Sequence, residues 1–259
     1  MILTIDIGNT DTIFAFWEKN SIINSFRVNT KSKNIINDCE NNLVKYKNKS
    51  LICDRAIYCS VVPSLNNKIE KILKEFGIKN IFILNLKLEM PYEFNYQNKE
   101  TLGADRLANA AGAVLNYGKN VIIVDFGTAI TFCLIVDSVY QGGLITPGIK
   151  IALDSLVEKT AALKKIEIEN QKNILGKSTE LAMKSGLYYG WKGLVKEIIQ
   201  EIKNYVKIHH KNQEDKLILI ATGGISENLY FIQEIFDIID KNLTLRGLLF
   251  LYHKNYNNS

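Results

Sequence analysis

Two segments of this chain, roughly half its length apart, share one pattern. They are Asp6-Ile7-Gly8-Asn9-Thr10-Asp11-Thr12 and Asp125-Phe126-Gly127-Thr128-Ala129-Ile130-Thr131. Each follows an apolar strand-like run and leads into another, and each is then followed by a polar turn and a third strand. A pattern that starts twice points to an internal duplication. It predicts two α/β halves, 1–116 and 117–259, facing each other across a cleft, where binding sites favour such interfaces.

The chemistry of Asp-x-Gly at a strand end supports this. Glycine lets backbone turn tightly and approach an anion closely, and successive N–H groups in such a turn form an anion-binding concavity. An aspartate beside it can hold a hydrated cation that bridges phosphates, since Mg²⁺ usually takes only one or two carboxylates. One copy alone reads as ordinary hairpin chemistry. Two copies in matching contexts suit a clamp on a triphosphate.

The chain of 259 residues, 47% hydrophobic and 23% charged, can bury a core of its own. Its net charge of +5 is scattered, with no basic stripe interleaved with aromatics, which argues against nucleic acid as partner. No run of 18 apolar residues is present, and the first apolar stretch is broken at Asp6, so neither a membrane span nor a targeting segment is expected. Cys39, Cys53, Cys59 and Cys133 form no CxxC pair and read as free buried thiols. The histidines, His209, His210 and His253, lie far from every Gly-rich turn, against a Ser-His-Asp mechanism.

Several shorter motifs remain. Thr222-Gly223-Gly224 follows a buried strand, Leu217–Ala221, and leaves room for a nucleotide base or ribose, or is a plain strand-to-helix turn. Gly103-Ala104-Asp105-Arg106 opens an Ala-rich helix. Asp105 there is either helix-dipole chemistry or a proton acceptor, with the Arg106 guanidinium anchoring an anionic group. Elsewhere the periodicity predicts helices over 33–49, 65–76, 149–160, from Gly176-Lys177-Ser178-Thr179 to Gly186, and over 191–206. Ser178 or Thr179 serves as N-cap of the fourth. Gly142 to Gly148 reads as a loop, 89–100 as irregular, 243–251 as undecided, and the Asn-rich end as frayed.

Taken together, these motifs resemble type III pantothenate kinases of the acetate and sugar kinase/Hsp70/actin superfamily. The resemblance rests on Asp6 to Thr10, Arg27 with Thr30, Ser60-Val61-Val62-Pro63, Gly103 to Asn109, Asp125 to Thr131, Gly142 to Gly148, Gly176 to Thr179, Ser185-Gly186 and Thr222 to Gly224. It implies two ribonuclease H-like (actin-like ATPase) halves and transfer of the ATP γ-phosphate to pantothenate. It implies that Asp105 accepts the proton. The ATP phosphate loop would be Asp6, Ile7, Gly8, Asn9, Thr10, Asp11, Thr12 and Ile13, with Asp6 near Mg²⁺. Thr128 would contact ATP, and Asp125 would hold K⁺ or NH₄⁺. Tyr92, Gly103, Ala104, Asp105, Arg106 and Thr179 would contact pantothenate. It further implies a cytoplasmic homodimer. The chain departs from the family at Asn98-Lys99 and at Lys164, where prolines are usual. A kinase of another small molecule, or a non-catalytic regulator like the family's accessory-factor branch, are the alternatives.

Overall fold

A computed structural model describes residues 1–47, 53–210, 216–224 and 229–256. The end of the predicted helix 33–49 and the Asn-rich terminus fall outside them. The chain separates into two compact units. The first comprises Met1–Tyr92, Gln97–Asn116 and the segment from Leu243 onward, and the second comprises Glu93–Tyr96 and Tyr117–Asn242. A division at 116 and 117 differs from this in two places, each with a physical cause given below.

In the first unit, β1 (Ile2–Ile7), β2 (Asp11–Glu18), β3 (Ser21–Asn29), β4 (Arg55–Ser60) and β5 (Asn80–Ile83) form a sheet of order β3-β2-β1-β4-β5. β1–β2 and β2–β3 are antiparallel, while β1–β4 and β4–β5 are parallel. Alternation along β1 puts Leu3, Ile5 and Ile7 on one face. There they pack with Phe14, Phe16, Ala56 and Tyr58, and helices α1 (Ile35–Lys47) and α2 (Pro63–Phe76) cover them with Cys39, Leu43, Ile69 and Leu73. Helix α2 begins at a proline and ends on Gly77 at φ +104°, as helix termini favour.

The opposite face carries Thr4, Asp6, Ala15, Trp17, Ile57 and Cys59, by the register of the strand pairs. Trp17 Nε1 donates to Thr4 Oγ1 at 2.7 Å. Over this face lie α3 (Ala104–Asn116) and α7 (Leu243–Tyr256). Leu245 and Leu249 of α7 pack on Ala15 and Trp17, which is why the last helix belongs to the first unit. The segment 243–251, ambiguous by pattern, is helical throughout.

Helices α3 and α7 cross through glycine. A Cβ on Gly112 would lie 2.6 Å from the Leu243 carbonyl oxygen, and one on Gly247 would overlap the Ala108 carbonyl oxygen. Gly247→Ala must push two backbones apart, at a cost of about 1–3 kcal/mol. A urea titration is expected to show that loss as a lower midpoint with an unchanged slope.

In the second unit, β6 (Glu93–Phe94), β7 (Val121–Phe126), β8 (Ala129–Val136), β9 (Val139–Pro147), β10 (Ile218–Thr222) and β11 (Ile238–Ile239) form a sheet of order β11-β10-β7-β8-β9-β6. β6 pairs in parallel with β9, so 93–96 joins this unit. β7–β8 and β8–β9 are antiparallel, and β7–β10 and β10–β11 parallel. With β6 set aside, order and strand directions repeat those of the first sheet. The duplication read from two short motifs therefore extends through five strands.

The register refines that reading. Asp6 pairs with Ile13, whereas Asp125 pairs with Thr131. The first turn is one residue longer than the second, so the structural equivalent of Thr131 is Ile13, not Thr12.

Ile122, Val124, Phe126, Phe132, Leu134, Leu219 and Ala221 line the core face of the second sheet. Helices α4 (Ile149–Glu158), α5 (Thr179–His209) and α6 (Tyr230–Ile235) contribute Leu153, Leu187, Val195, Ile199 and Phe231 to the same core. Helix α5 is one continuous helix where the sequence suggests two. Gly186, Gly190 and Gly193 each cost up to ~1 kcal/mol of helix propensity. A buried stripe from Met183 through Val206 outweighs them. Ser178 is the N-cap and accepts from the Leu181 N–H; Thr179 is the first helical residue. The segment Gly142 to Pro147 belongs to β9 rather than to a loop. Gly142 at φ +131° absorbs a register shift against β8, a bulge that glycine permits.

Candidate active site

The first turn leaves β1 at Asp6 and returns into β2. Gly8 N–H donates to the Asp11 carbonyl at 3.0 Å, and a Cβ at Gly8 would sit 2.9 Å from that oxygen. Glycine is therefore needed to close the turn. Asn9 is exposed, and Asp6, Gly8, Thr10, Asp11 and Ile13 are half-buried. Ile7 and Thr12 are fully buried. Ile7 packs in the core, and Thr12 Oγ1 hydrogen-bonds Thr30 Oγ1 at 2.9 Å. Their side chains are engaged in the fold, which leaves only their backbone available in the turn. Thr30 N–H donates to the Thr10 carbonyl at 2.8 Å, and Arg27 pairs with Asp11 at 3.3 Å. These contacts give the Arg27 and Thr30 motif a concrete task, holding the turn from β3.

The acceptor-side residues enter on α3. Asp105 stands in its first turn, and Asp105 Oδ1 accepts the Arg106 N–H at 2.7 Å. The carboxyl is half-buried. Burial raises its pKa above the usual carboxylate value, against the lowering by the Arg106 N–H and guanidinium. A carboxylate whose charged form is disfavoured is a better proton acceptor near neutral pH. Arg106 is buried, at 7% exposure. Gly103 runs so close to Asp105 that a Cβ there would overlap Asp105 Oδ1. Ala104 is half-buried. Tyr92 is also buried, at 6% exposure, and its hydroxyl donates to the Leu107 carbonyl at 3.0 Å. In this structure Tyr92 thus braces the start of α3.

One residue that the sequence reading passed over joins these two sets. Cys59 is opposite Asp6 in the β1–β4 register, fully buried, and its Sγ donates to Asp6 Oδ1 at 3.4 Å. Burial pushes the thiol pKa well above its ordinary value, and the charges of Asp6 and Asp105 add to the rise. Asp6 and Asp105 thus act on one side chain within one unit. All four cysteines are free and buried, and the signal that would have separated Cys59 from the others is strand register.

In the second unit, Asp125 is the penultimate residue of β7 as Asp6 is of β1, and Gly127 N–H donates to the Ala129 carbonyl at 3.1 Å. Gly223, at φ +93°, lies against this turn. A Cβ on it would be 2.5 Å from Asp125 Oδ1 and 2.7 Å from Phe126 N. The Thr128 carbonyl accepts the Gly148 N–H at 3.1 Å. Asp125, Thr128 and Gly223 are therefore brought together, and Gly148, not anticipated as a site residue, closes the set. Gly224 is exposed after it, and Thr179 is exposed at the first turn of α5. Among the described residues no group of three or more His, Cys, Asp or Glu could cage a metal ion. No described helix is long and apolar enough to cross a membrane.

Duplicated sheets of this order, each with an aspartate and glycine turn after its first strand, define the fold of actin-like ATPases and sugar kinases. Solved structures agree. A conserved candidate Baf family transcriptional activator from Campylobacter jejuni superposes with TM-score 0.62 at 22% identity, over 98% of this chain and 99% of that one. A candidate 2-dehydro-3-deoxygalactonokinase from Sinorhizobium meliloti does so with TM-score 0.54 at 11% identity, over 98% and 96%. Sequence narrows the class. The family model for type III pantothenate kinase matches residues 2–201. A type III pantothenate kinase of Listeria monocytogenes serotype 4a (strain HCC23) is 35% identical over 98% of each chain. The chain belongs to the type III pantothenate kinase family.

Proposed function

We propose that the chain transfers the γ-phosphate of ATP to the primary hydroxyl of pantothenate, giving 4′-phosphopantothenate and ADP, the first step of coenzyme A biosynthesis. The observation that carries the reading is Asp105. It is a half-buried carboxyl with a raised pKa, on an N-terminal helical turn, within electrostatic range of the same thiol that holds Asp6. In phosphoryl transfer such a group takes the proton of the attacking hydroxyl as its oxygen bonds to the γ-phosphorus and the bond to ADP breaks. The Arg106 N–H at Asp105 Oδ1 fixes the carboxyl for that step.

The residues Asp6, Ile7, Gly8, Asn9, Thr10, Asp11, Thr12 and Ile13 are assigned to the ATP phosphates, and Thr128, Gly223 and Gly224 are each assigned a nucleotide contact. Asp6 fits Mg²⁺, because a single hard carboxylate suits an ion that keeps most of its waters. Bound there, it would neutralise phosphate charge. Asp125 is assigned to K⁺ or NH₄⁺, and the Gly223 approach, which any Cβ would fill, supports a packed carboxylate at that point. Tyr92, Gly103, Ala104, Asp105, Arg106 and Thr179 are assigned to pantothenate. The working form is a cytoplasmic homodimer.

The experiment is an ADP-release assay with pantothenate and a panel of sugars, each in K⁺ and in Na⁺. Turnover with pantothenate in K⁺, and little with sugars, is expected. Turnover with a sugar but not with pantothenate would overturn the substrate assignment.

A further inference from the structure

Cys59 has no part in the chemistry above, yet it is fully buried and bonded to Asp6. Pleat alternation puts it on the same sheet face as Asp6, the face that α3 covers with Asp105 in its first turn. The end of β4 is tied to both neighbours. Val61 N–H donates to the Ile7 carbonyl at 3.0 Å. Gly103 lies so near that an added Cβ would meet Val61 Cγ1 at 3.9 Å. Any side chain at 59 is therefore held in a fixed place between the turn and α3.

The duplication supplies an independent comparison. In the second sheet, β10 takes the place of β4, and the residue opposite Asp125 is Thr222, buried at 1% exposure. Both copies put a small side chain with a donor hydrogen, a thiol or a hydroxyl, next to the turn aspartate. An apolar residue of the same size would fill the space equally well. What Cys59 and Thr222 share beyond size is the donor.

We propose that Cys59 is a positioning residue of the phosphate turn: its thiol hydrogen bond to Asp6 Oδ1 fixes the rotamer of the Asp6 carboxylate for nucleotide binding. The proposal rests on the nucleotide reading of the turn given above. Cys59 touches no substrate; it acts through Asp6. A hydrogen bond to a charged acceptor, even a weak one from sulfur, sets the carboxylate's orientation at the low mobility of a buried site.

The test measures binding of a non-hydrolysable ATP analogue with Mg²⁺ by calorimetry, in wild type, Cys59→Ser, Cys59→Val and Cys59→Ala. Serine keeps a donor, valine keeps the volume without one, and alanine removes both. Affinity is expected to fall about five- to tenfold in the valine and alanine variants and to stay within about twofold in the serine variant. In steady state the KM for ATP should rise with the affinity loss, while kcat changes less. Valine binding as wild type does, or serine losing as much as valine, would overturn the proposal and leave Cys59 as packing alone. Unfolding midpoints recorded alongside separate lost affinity from lost fold, and the valine variant carries the test if alanine folds poorly. A wild-type chain that binds nucleotide but phosphorylates no acceptor would overturn the proposed activity and leave this comparison standing. A wild-type chain that binds no nucleotide would overturn both.

Discussion

Asp105→Asn is expected to lower kcat for phosphoryl transfer by about 10²–10⁴-fold, the usual weight of a positioned general base, without lowering the unfolding temperature at neutral pH. Asparagine keeps an oxygen for the Arg106 N–H that now donates to Asp105 Oδ1 at 2.7 Å. It loses only the charge, and with it the ability to take a proton. The stability half of the prediction follows from the direction of the pKa shift. Burial raises the folded pKa of Asp105, so the protonated form is the one that folding favours. That contribution is fully present below the unfolded pKa of about 4 and is lost as pH rises through the higher folded value. At neutral pH the carboxylate costs stability, and a neutral amide removes the cost. The same shift moves the acid limb of the wild-type kcat/KM profile to higher pH than an exposed aspartate would give. A variant that still turns over within about threefold of wild type would remove the base assignment, while a large loss of unfolding temperature would mean that Asp105 holds the fold.

Gly223→Ala is expected to reduce kcat/KM for ATP on the order of 100-fold, the scale of a misplacement of about 1 Å at a reacting centre. Gly223 has φ +93°, and its Cβ would fall 2.5 Å from Asp125 Oδ1 and 2.7 Å from two backbone atoms of Phe126. The left-handed backbone costs an alanine about 1–2 kcal/mol. The contact with Phe126 is with main chain, which cannot swing aside, so the Asp125 carboxylate is the part that moves. If Asp125 holds the proposed monovalent cation, the K⁺ concentration for half-maximal activity rises in parallel. Activity titrated against K⁺ at fixed ATP checks this. An unchanged K⁺ dependence together with the loss in ATP efficiency would detach Asp125 from the cation.

The parts of the fold and site that could be read from sequence were those that depend on local chemistry. Asp-x-Gly after an apolar run marks a strand end in both halves, and the turns at Asp6 and Asp125 fall there. Ser178 begins α5 as its chemistry requires. Long-range properties stayed hidden. The break expected near Gly186 in α5 is absent because burial on one face overrides three glycines. The place of α7 in the first unit depends on Leu245, Leu249 and Gly247 meeting β2 and α3, partners far away in sequence. Strand register decided the rest. It showed the extra residue in the first turn, set the Thr12 hydroxyl against Thr30, and brought Cys59 beside Asp6. No periodicity in a single segment carries that information.

Wild-type chain is incubated with Mg²⁺, ATP, K⁺ and pantothenate, and the products are identified by mass spectrometry. A singly phosphorylated pantothenate in one-to-one ratio with ADP is expected, formed much more slowly by Asp105→Asn. ADP without phosphorylated pantothenate, or no reaction at all, would contradict the proposed transfer.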